Sequence, residues 1–157
     1  MAATVAELEE LYRMRFTVFR NGVAGMAGGV EPAREIVQEA FARALRDRRR
    51  FRGEGSLEAW VWRIAVNCAL KSRRDLRVAW EEPAGPVTAD VPAIDDDVQE
   101  ALRSLPPRRR LVVFLRYFAD LPYADIARIC GVSEGTVAAT LSQSHAELRT
   151  HLSTEGT

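Results

Sequence analysis

Apolar residues return at every third or fourth position through most of this chain and nowhere alternate convincingly over a strand-length run. The pattern therefore predicts helices and no sheet. Residues 4–20 carry Val5, Leu8, Leu11, Tyr12, Phe16 and Phe19 at helical spacing. Residues 21–29, NGVAGMAGG, hold four glycines, each of which weakens a helix by about 1 kcal/mol relative to alanine. A frayed helix end and a loop both fit this stretch. Pro32 starts a second helix, whose buried face is Ile36, Val37, Ala40, Phe41, Ala44 and Leu45. Six arginines then fall within ten positions, at 43, 46, 48, 49, 50 and 52. The loop FRGEGS ends at Ser56, a suitable N-cap for a third helix from Leu57 to about Arg74. That helix is rich in apolar residues and closes on Lys71, Arg73 and Arg74, the charge its C-terminal dipole favours.

The period disappears over residues 78–97, VAWEEPAGPVTADVPAIDDD, which contain three prolines, one glycine and no basic residue. A self-repelling, partly extended linker is expected there, since ordered loops of this length are unusual inside one compact domain. It divides the chain into an N-terminal module, 1–77, and a C-terminal module, 98–157. The second opens with a helix around 98–104, breaks at Pro106 and Pro107, and resumes through Leu111, Val112, Phe114, Leu115 and Phe118.

Residues 121–141, LPYADIARICGVSEGTVAATL, carry the most chemistry. They predict two short helices joined by a three-residue turn, the helix-turn-helix layout that places a helix in the DNA major groove. Ala124, Ile126, Ala127 and Ile129 form the apolar stripe of the first helix, and Gly131 marks the turn. Ser133 is placed to cap the second helix, Glu134 sits at its positive end, and Val137, Leu141 and Leu148 anchor it.

The chain has 157 residues, 47% of them hydrophobic, which argues against extensive disorder. Its formal net charge is zero, but the distribution is uneven. Residues 1–77 hold 15 basic and 10 acidic residues, residues 78–97 hold six acids, and residues 98–157 hold 7 basic and 6 acidic residues. A basic module and a near-neutral one are thus separated by an acidic strap. The longest aliphatic or aromatic run, 111–115, is far short of the ~20 residues of a membrane helix. The acidic start MAATVAELEE lacks the features of a signal peptide, so no membrane insertion and a cytoplasmic location are expected. Cys68 and Cys130 each sit in an apolar helical pattern and are expected to be buried thiols. No paired Cys/His spacing suggests a metal, and His145 and His151 are expected at the surface.

With these residues in place, a family likeness appears. ALRSLPPRRRLVVFLRYFADLPYADIARICGVSEGTV resembles region 4 of bacterial sigma factors, while IVQEAFARAL and FRGEGSLEAWVWRIAVNCALKSRR resemble region 2. The module order, the acidic linker and the total length are similar to the small extracytoplasmic-function (group IV) sigma factors, over most of residues 8–152. The resemblance implies an all-α fold of two small helical domains and a protein that binds core RNA polymerase, directs it to promoter DNA and helps melt it. It implies no enzyme activity and no cofactor; an anti-sigma factor is a further candidate partner.

Residue by residue, the resemblance assigns Gln38 and Glu39 to polymerase docking, with Arg43 one turn on. It assigns the loop around Arg50, Arg52 and Ser56, and the helix face Arg63, Asn67, Lys71 and Arg74, to the melted strand of the minus-ten element. Arginine and lysine suit phosphate there, and asparagine suits a base edge. A structural role for a buried Asn67 stands as the alternative, and one of Trp60 and Trp62 is expected in the core. The second helix of the helix-turn-helix is assigned to the minus-thirty-five element, with Arg108, Ser133, Glu134, Thr136, Ser142 and Gln143 as candidate contacts. The family usually continues Ser-Glu-Gly-Thr-Val with basic residues. Here no Lys or Arg occurs between Arg128 and Arg149, so a duplex reader with few ionic contacts and a protein-docking module both remain open. Two other functions stand beside the first: a stand-alone helix-turn-helix regulator and a non-initiating sigma-like interaction protein. The Gln38-Glu39 pair and the RIAVN segment speak against the former, which needs neither.

Overall fold

The computed structural model describes residues 2–27, 29–75 and 96–155. Most of the expected linker, residues 78–95, lies outside them; its last two acids, Asp96 and Asp97, instead open a helix. The described residues form seven α-helices and one short 3-10 turn, without strands. Helices α1 (Val5–Ala27), α2 (Val30–Arg46) and α3 (Leu57–Asp75) make the N-terminal bundle, with the 3-10 turn Arg48–Arg50 between α2 and α3. Helices α4 (Asp96–Ser104), α5 (Pro107–Tyr117), α6 (Tyr123–Cys130) and α7 (Glu134–Glu155) make the C-terminal one.

Hydroxyl side chains start three of these helices. Thr4 Oγ1 accepts the Glu7 N–H at 3.1 Å, Ser56 Oγ the Ala59 N–H at 3.0 Å, and Ser133 Oγ the Thr136 N–H at 3.1 Å. Each satisfies a backbone donor that the first turn leaves unpaired. Pro107 occupies the start of α5, where a missing N–H costs nothing. Gly131, in the left-handed region with φ 69°, ends α6 and turns the chain toward α7.

Residues 21–27 of the glycine-rich stretch are neither a frayed end nor a loop. Helix α1 runs unbroken through Gly22 and Gly25 to Ala27. Tertiary packing offsets the weak propensity: Phe19, Val23, Ala24 and Met26 are buried, and Asn21 with them.

A line of rings crosses the molecule. Phe41 of α2 meets Phe19 of α1 edge-on at 5.2 Å, and Phe19 stacks on Trp62 of α3 at 4.2 Å. Trp62 meets Phe114 of α5 at 6.2 Å, and Phe114 stacks on Phe118 at 5.2 Å. The two bundles therefore pack against each other and share one apolar core, which the patterning of separate segments does not foretell. Trp62 is fully buried, whereas Trp60 is half-buried against Phe51, centroids 5.6 Å apart. Cys68 is buried and Cys130 half-buried, and both are free thiols. Burial raises the pKa of Cys68 and pushes that of Cys130 up to about 11. Among the described residues, no helix is long and apolar enough to cross a membrane.

Candidate nucleic-acid interface

The apolar face of α3 fixes what its other face presents. Val61, Trp62, Ala65, Val66, Cys68 and Ala69 are buried. Arg63, Asn67 and Lys71, at four-residue steps, are left exposed along one side. Asn67 is thus not a buried structural residue. The side chain of Arg74, one step further on, lies outside the described residues.

The arginine-rich turn lies between α2 and the start of this helix. Arg48 Nη1 donates to Leu45 O at 2.7 Å, and its own carbonyl accepts the Ala3 N–H at 3.0 Å. This ties Arg48 into the fold and leaves Arg49, Arg50 and Arg52 exposed. A hydrogen bond from Arg46 at 3.2 Å lowers the pKa of the Asp47 carboxyl, so that residue stays anionic beside them. Arg50 and Arg52 with Arg63, Asn67 and Lys71 supply four cations and an amide to a strand of nucleic acid. Ser56 is engaged differently. Its Oγ caps α3 and also donates to Asp125 Oδ2 of α6 at 3.2 Å.

On α2 the buried face, Ala33, Ile36, Val37, Ala40, Phe41 and Ala44, turns Gln38 and Glu39 outward. Glu39 pairs with Arg43 at 2.7 Å across one helical turn, yet its side chain keeps 55% exposure. An exposed pair of this kind adds little stability and leaves the carboxylate able to accept from a partner's cations.

In the helix-turn-helix, Val137 and Leu141 bury α7 against α6, and Leu148 packs against the same core. Glu134, Thr136, Ser142 and Gln143 are exposed. Ser133 Oγ also lies 2.9 Å from Thr136 Oγ1, so the capping serine and the threonine form one polar group at the helix start. Ser144 instead is buried and donates to Thr140 O at 2.7 Å. Of the three arginines before α5, Arg108 is exposed, Arg109 pairs with Glu147 of α7, and Arg110 donates to Arg103 O and Leu105 O.

Two residues that carry the arrangement escaped the sequence reading. Asp125 is 5% exposed and accepts from both Ser56 and Arg128. Arg15 donates from Nε to Glu58 at 2.5 Å and from Nη2 to Ala119 O at 2.9 Å, joining α1, α3 and the α5–α6 turn. Apart from the Arg128 contact within α6, their partners lie 43 to 104 residues away in the chain, and no local pattern signals those.

Comparison with known proteins settles the family. The sigma-70 region 2 family model matches residues 11–78, and the sigma-70 region 4 model matches residues 95–148. The chain belongs to the sigma-70 family of RNA polymerase sigma factors. RNA polymerase sigma factor YlaC of Bacillus subtilis is 27% identical over 92% of this chain and 91% of its own length. The extracytoplasmic-function sigma factor SigE of Mycolicibacterium smegmatis is 33% identical over 96% of this chain and 63% of its own. The fold is shared with the sigma factor RpoE, solved in complex with the anti-sigma factor NepR from Bartonella quintana. That likeness has a TM-score of 0.74 over 95% of this chain and 98% of RpoE, at 22% identity. This sigma factor is of the extracytoplasmic-function type, and sigma factors are transcription initiation factors rather than enzymes.

Proposed function

We propose that this sigma factor binds core RNA polymerase through the exposed α2 edge of Gln38, Glu39 and Arg43 and holds the opened minus-ten strand on α3. In that mechanism Arg50, Arg52, Arg63, Lys71 and Arg74 neutralise phosphates. Asn67 hydrogen-bonds an unstacked base, which offsets part of the cost of unpairing it. Ser56 adds a hydroxyl at the edge of the same strand path. Modules 1–77 and 98–157 act on the two promoter elements, joined by the acidic segment. The helix-turn-helix meets the minus-thirty-five duplex with Ser133, Glu134, Thr136, Ser142 and Gln143 at the groove and Arg108 at the backbone. With few cations on α7, its binding leans on base contacts and on the backbone N–H groups at the start of the helix. The work is done in the cytoplasm, where the polymerase and promoter are, and an anti-sigma factor is a partner class that the RpoE relative shares.

The observation that carries the proposal is the exposed stripe of Arg63, Asn67 and Lys71 on a helix whose other face is core, with Arg50 and Arg52 exposed in the segment that leads into that helix. Permanganate footprinting of a promoter with the reconstituted holoenzyme tests it. Asn67→Ala is expected to reduce thymine reactivity in the melted region about tenfold, with polymerase binding retained. An unchanged footprint removes Asn67 from the melted-strand site.

A further inference from the structure

Helix α7 carries one ring whose charge is not fixed. No Lys or Arg occurs between Arg128 and Arg149, and His145 is the one side chain in that interval that can become a cation. The fold holds it in place. Tyr117 Oη, at the end of α5, lies 2.7 Å from His145 Nε2, with the ring centroids 5.6 Å apart. The hydroxyl donates to a bare Nε2 and accepts from Nε2–H, so the bond survives both charge states of the histidine. The other ring nitrogen, Nδ1, has no hydrogen-bond partner among the described residues. Tyr117 is 55% exposed and His145 half-buried, so the pair opens to solvent. Ala138, Ser142, His145 and Arg149 follow at steps of four, three and four, which keeps them on one side of α7. His145 is eleven residues past Glu134, about 16 Å along the helix at 1.5 Å per residue, whereas a major groove is about 12 Å wide. A helix that meets base edges with its N-terminal residues therefore carries His145 past them, toward the sugar–phosphate backbone.

We propose that His145, oriented by Tyr117, is a phosphate contact of the helix-turn-helix made when its imidazole is protonated, so that minus-thirty-five binding strengthens as pH falls. The proposal rests on the promoter-binding function above and adds to it one contact and its pH dependence. The ring takes up one proton; Nε2–H then donates to Tyr117 Oη, and Nδ1–H donates to a phosphate oxygen. Histidine is the side chain whose charge ordinarily changes between pH 5 and 8, and the chain has two, His145 and His151. Both thiols are pushed upward, away from that range. The charges on the packed elements have other partners or sit on other helices. On α7, Glu147 pairs with Arg109 of α5, and Arg149 lies one turn on. Helix α5 adds Arg108, Arg110 and Arg116, the last reaching Asp120 at 4.0 Å. Helix α6 adds Asp125 and Arg128, bonded to each other, and α4 adds Asp97, Glu100 and Arg103. No carboxylate among the described residues bonds the imidazole. A neutral tyrosine orients the ring without fixing its charge, which leaves that charge to pH and to the phosphate.

The test is binding of a labelled promoter duplex to holoenzyme reconstituted from core polymerase and the full chain, read by fluorescence anisotropy at pH 6.0, 7.0 and 8.0. With the wild-type chain, affinity is expected to rise from pH 8.0 to 6.0 by about fivefold more than with His145→Gln, the order of one charge-assisted contact at a half-exposed site. The slope of log K against log salt is expected to steepen by about 0.9 at most, one phosphate more. His145→Arg carries a permanent charge and is expected to match the pH 6.0 affinity at all three values. Tyr117→Phe keeps the imidazole but frees the ring. It is expected to shrink the rise while leaving binding at pH 8.0 unchanged, which a merely structural role for the hydroxyl would not do. His151→Gln is expected to keep the wild-type profile. A wild-type profile parallel to that of His145→Gln overturns the proposal, as does a rise that disappears with His151→Gln instead. Promoter binding by neither the wild type nor His145→Arg at any pH overturns the promoter-binding function as well, whereas binding that is present without the extra rise overturns this contact alone.

Discussion

Ser56 and Asp125 are 69 residues apart in the chain and 3.2 Å apart in the fold, the serine hydroxyl donating to the aspartate Oδ2. The same hydroxyl accepts the Ala59 N–H and so starts α3. One atom thus begins the helix that carries Arg63, Asn67 and Lys71 and ties that beginning to the helix-turn-helix. Asp125, almost fully buried, is held on its other side by Arg128 at 3.2 Å. Asp125→Ala removes two acceptor contacts and is expected to lower stability by about 1–3 kcal/mol, measured as a shift of the urea midpoint. A midpoint within error of wild type would show that the contact contributes nothing.

The two tryptophans of the third helix separate by their burial. Trp62 is fully buried and stacked on Phe19, so Trp62→Ala is expected to cost about 3–5 kcal/mol. Trp60 is half-buried on Phe51, and Trp60→Ala is expected to cost about 1–2 kcal/mol, in proportion to the smaller area covered. Paired denaturation curves check the order, and a larger loss at Trp60 would contradict the shared core.

Glu39 keeps its carboxylate largely in solvent despite its pairing with Arg43. Glu39→Arg replaces an acceptor by a cation next to Arg43. It is expected to weaken binding to core polymerase by tenfold or more while leaving the fold intact, since an exposed helix pair is worth about 0.3–0.5 kcal/mol. Surface plasmon resonance on immobilised core enzyme reads the change, and undiminished binding removes the residue from the docking edge.

Burial pushes the Cys130 thiol up to about 11, from an ordinary value near 9. The folded chain therefore holds this proton at pH values where the unfolded chain has lost it. The resulting stabilisation is fully present below about pH 9 and is lost as pH rises from there through about 11. Alkylation of the native protein at pH 8 is expected to be slow at Cys130, because the thiolate is scarce. Cys130→Ala is expected to flatten the decline in stability over that range, as followed by denaturation at stepped pH.

Much of the molecule is legible in its local patterns. The helices expected from Pro32 onward and from Leu57 to about Arg74 lie close to α2 (Val30–Arg46) and α3 (Leu57–Asp75), and Ser56 and Ser133 act as the caps that their positions suggest. The exposure of Arg63, Asn67 and Lys71 follows from the same period, because the positions between them are taken by the core. What the sequence hides is non-local. Four glycines in nine residues predict a weak helix, and only Phe114, ninety-two residues further along, explains why Gly22 belongs inside one. Asp125 looks like a polar position on a short helix until Ser56 and Gly55 close over it. Arg110, one of three consecutive arginines, looks like a phosphate contact but ties down the turn between α4 and α5.

This chain brings core RNA polymerase to a promoter through two helical modules. The most direct measurement is to add the purified chain to core polymerase on a library of promoter fragments and sequence the 5′ ends of the transcripts. The expected result is a set of discrete starts, dependent on the chain, each preceded by two shared sequence elements at fixed spacing and reduced by Asn67→Ala. No increase over core polymerase alone, or starts without a common upstream pair of elements, would contradict it.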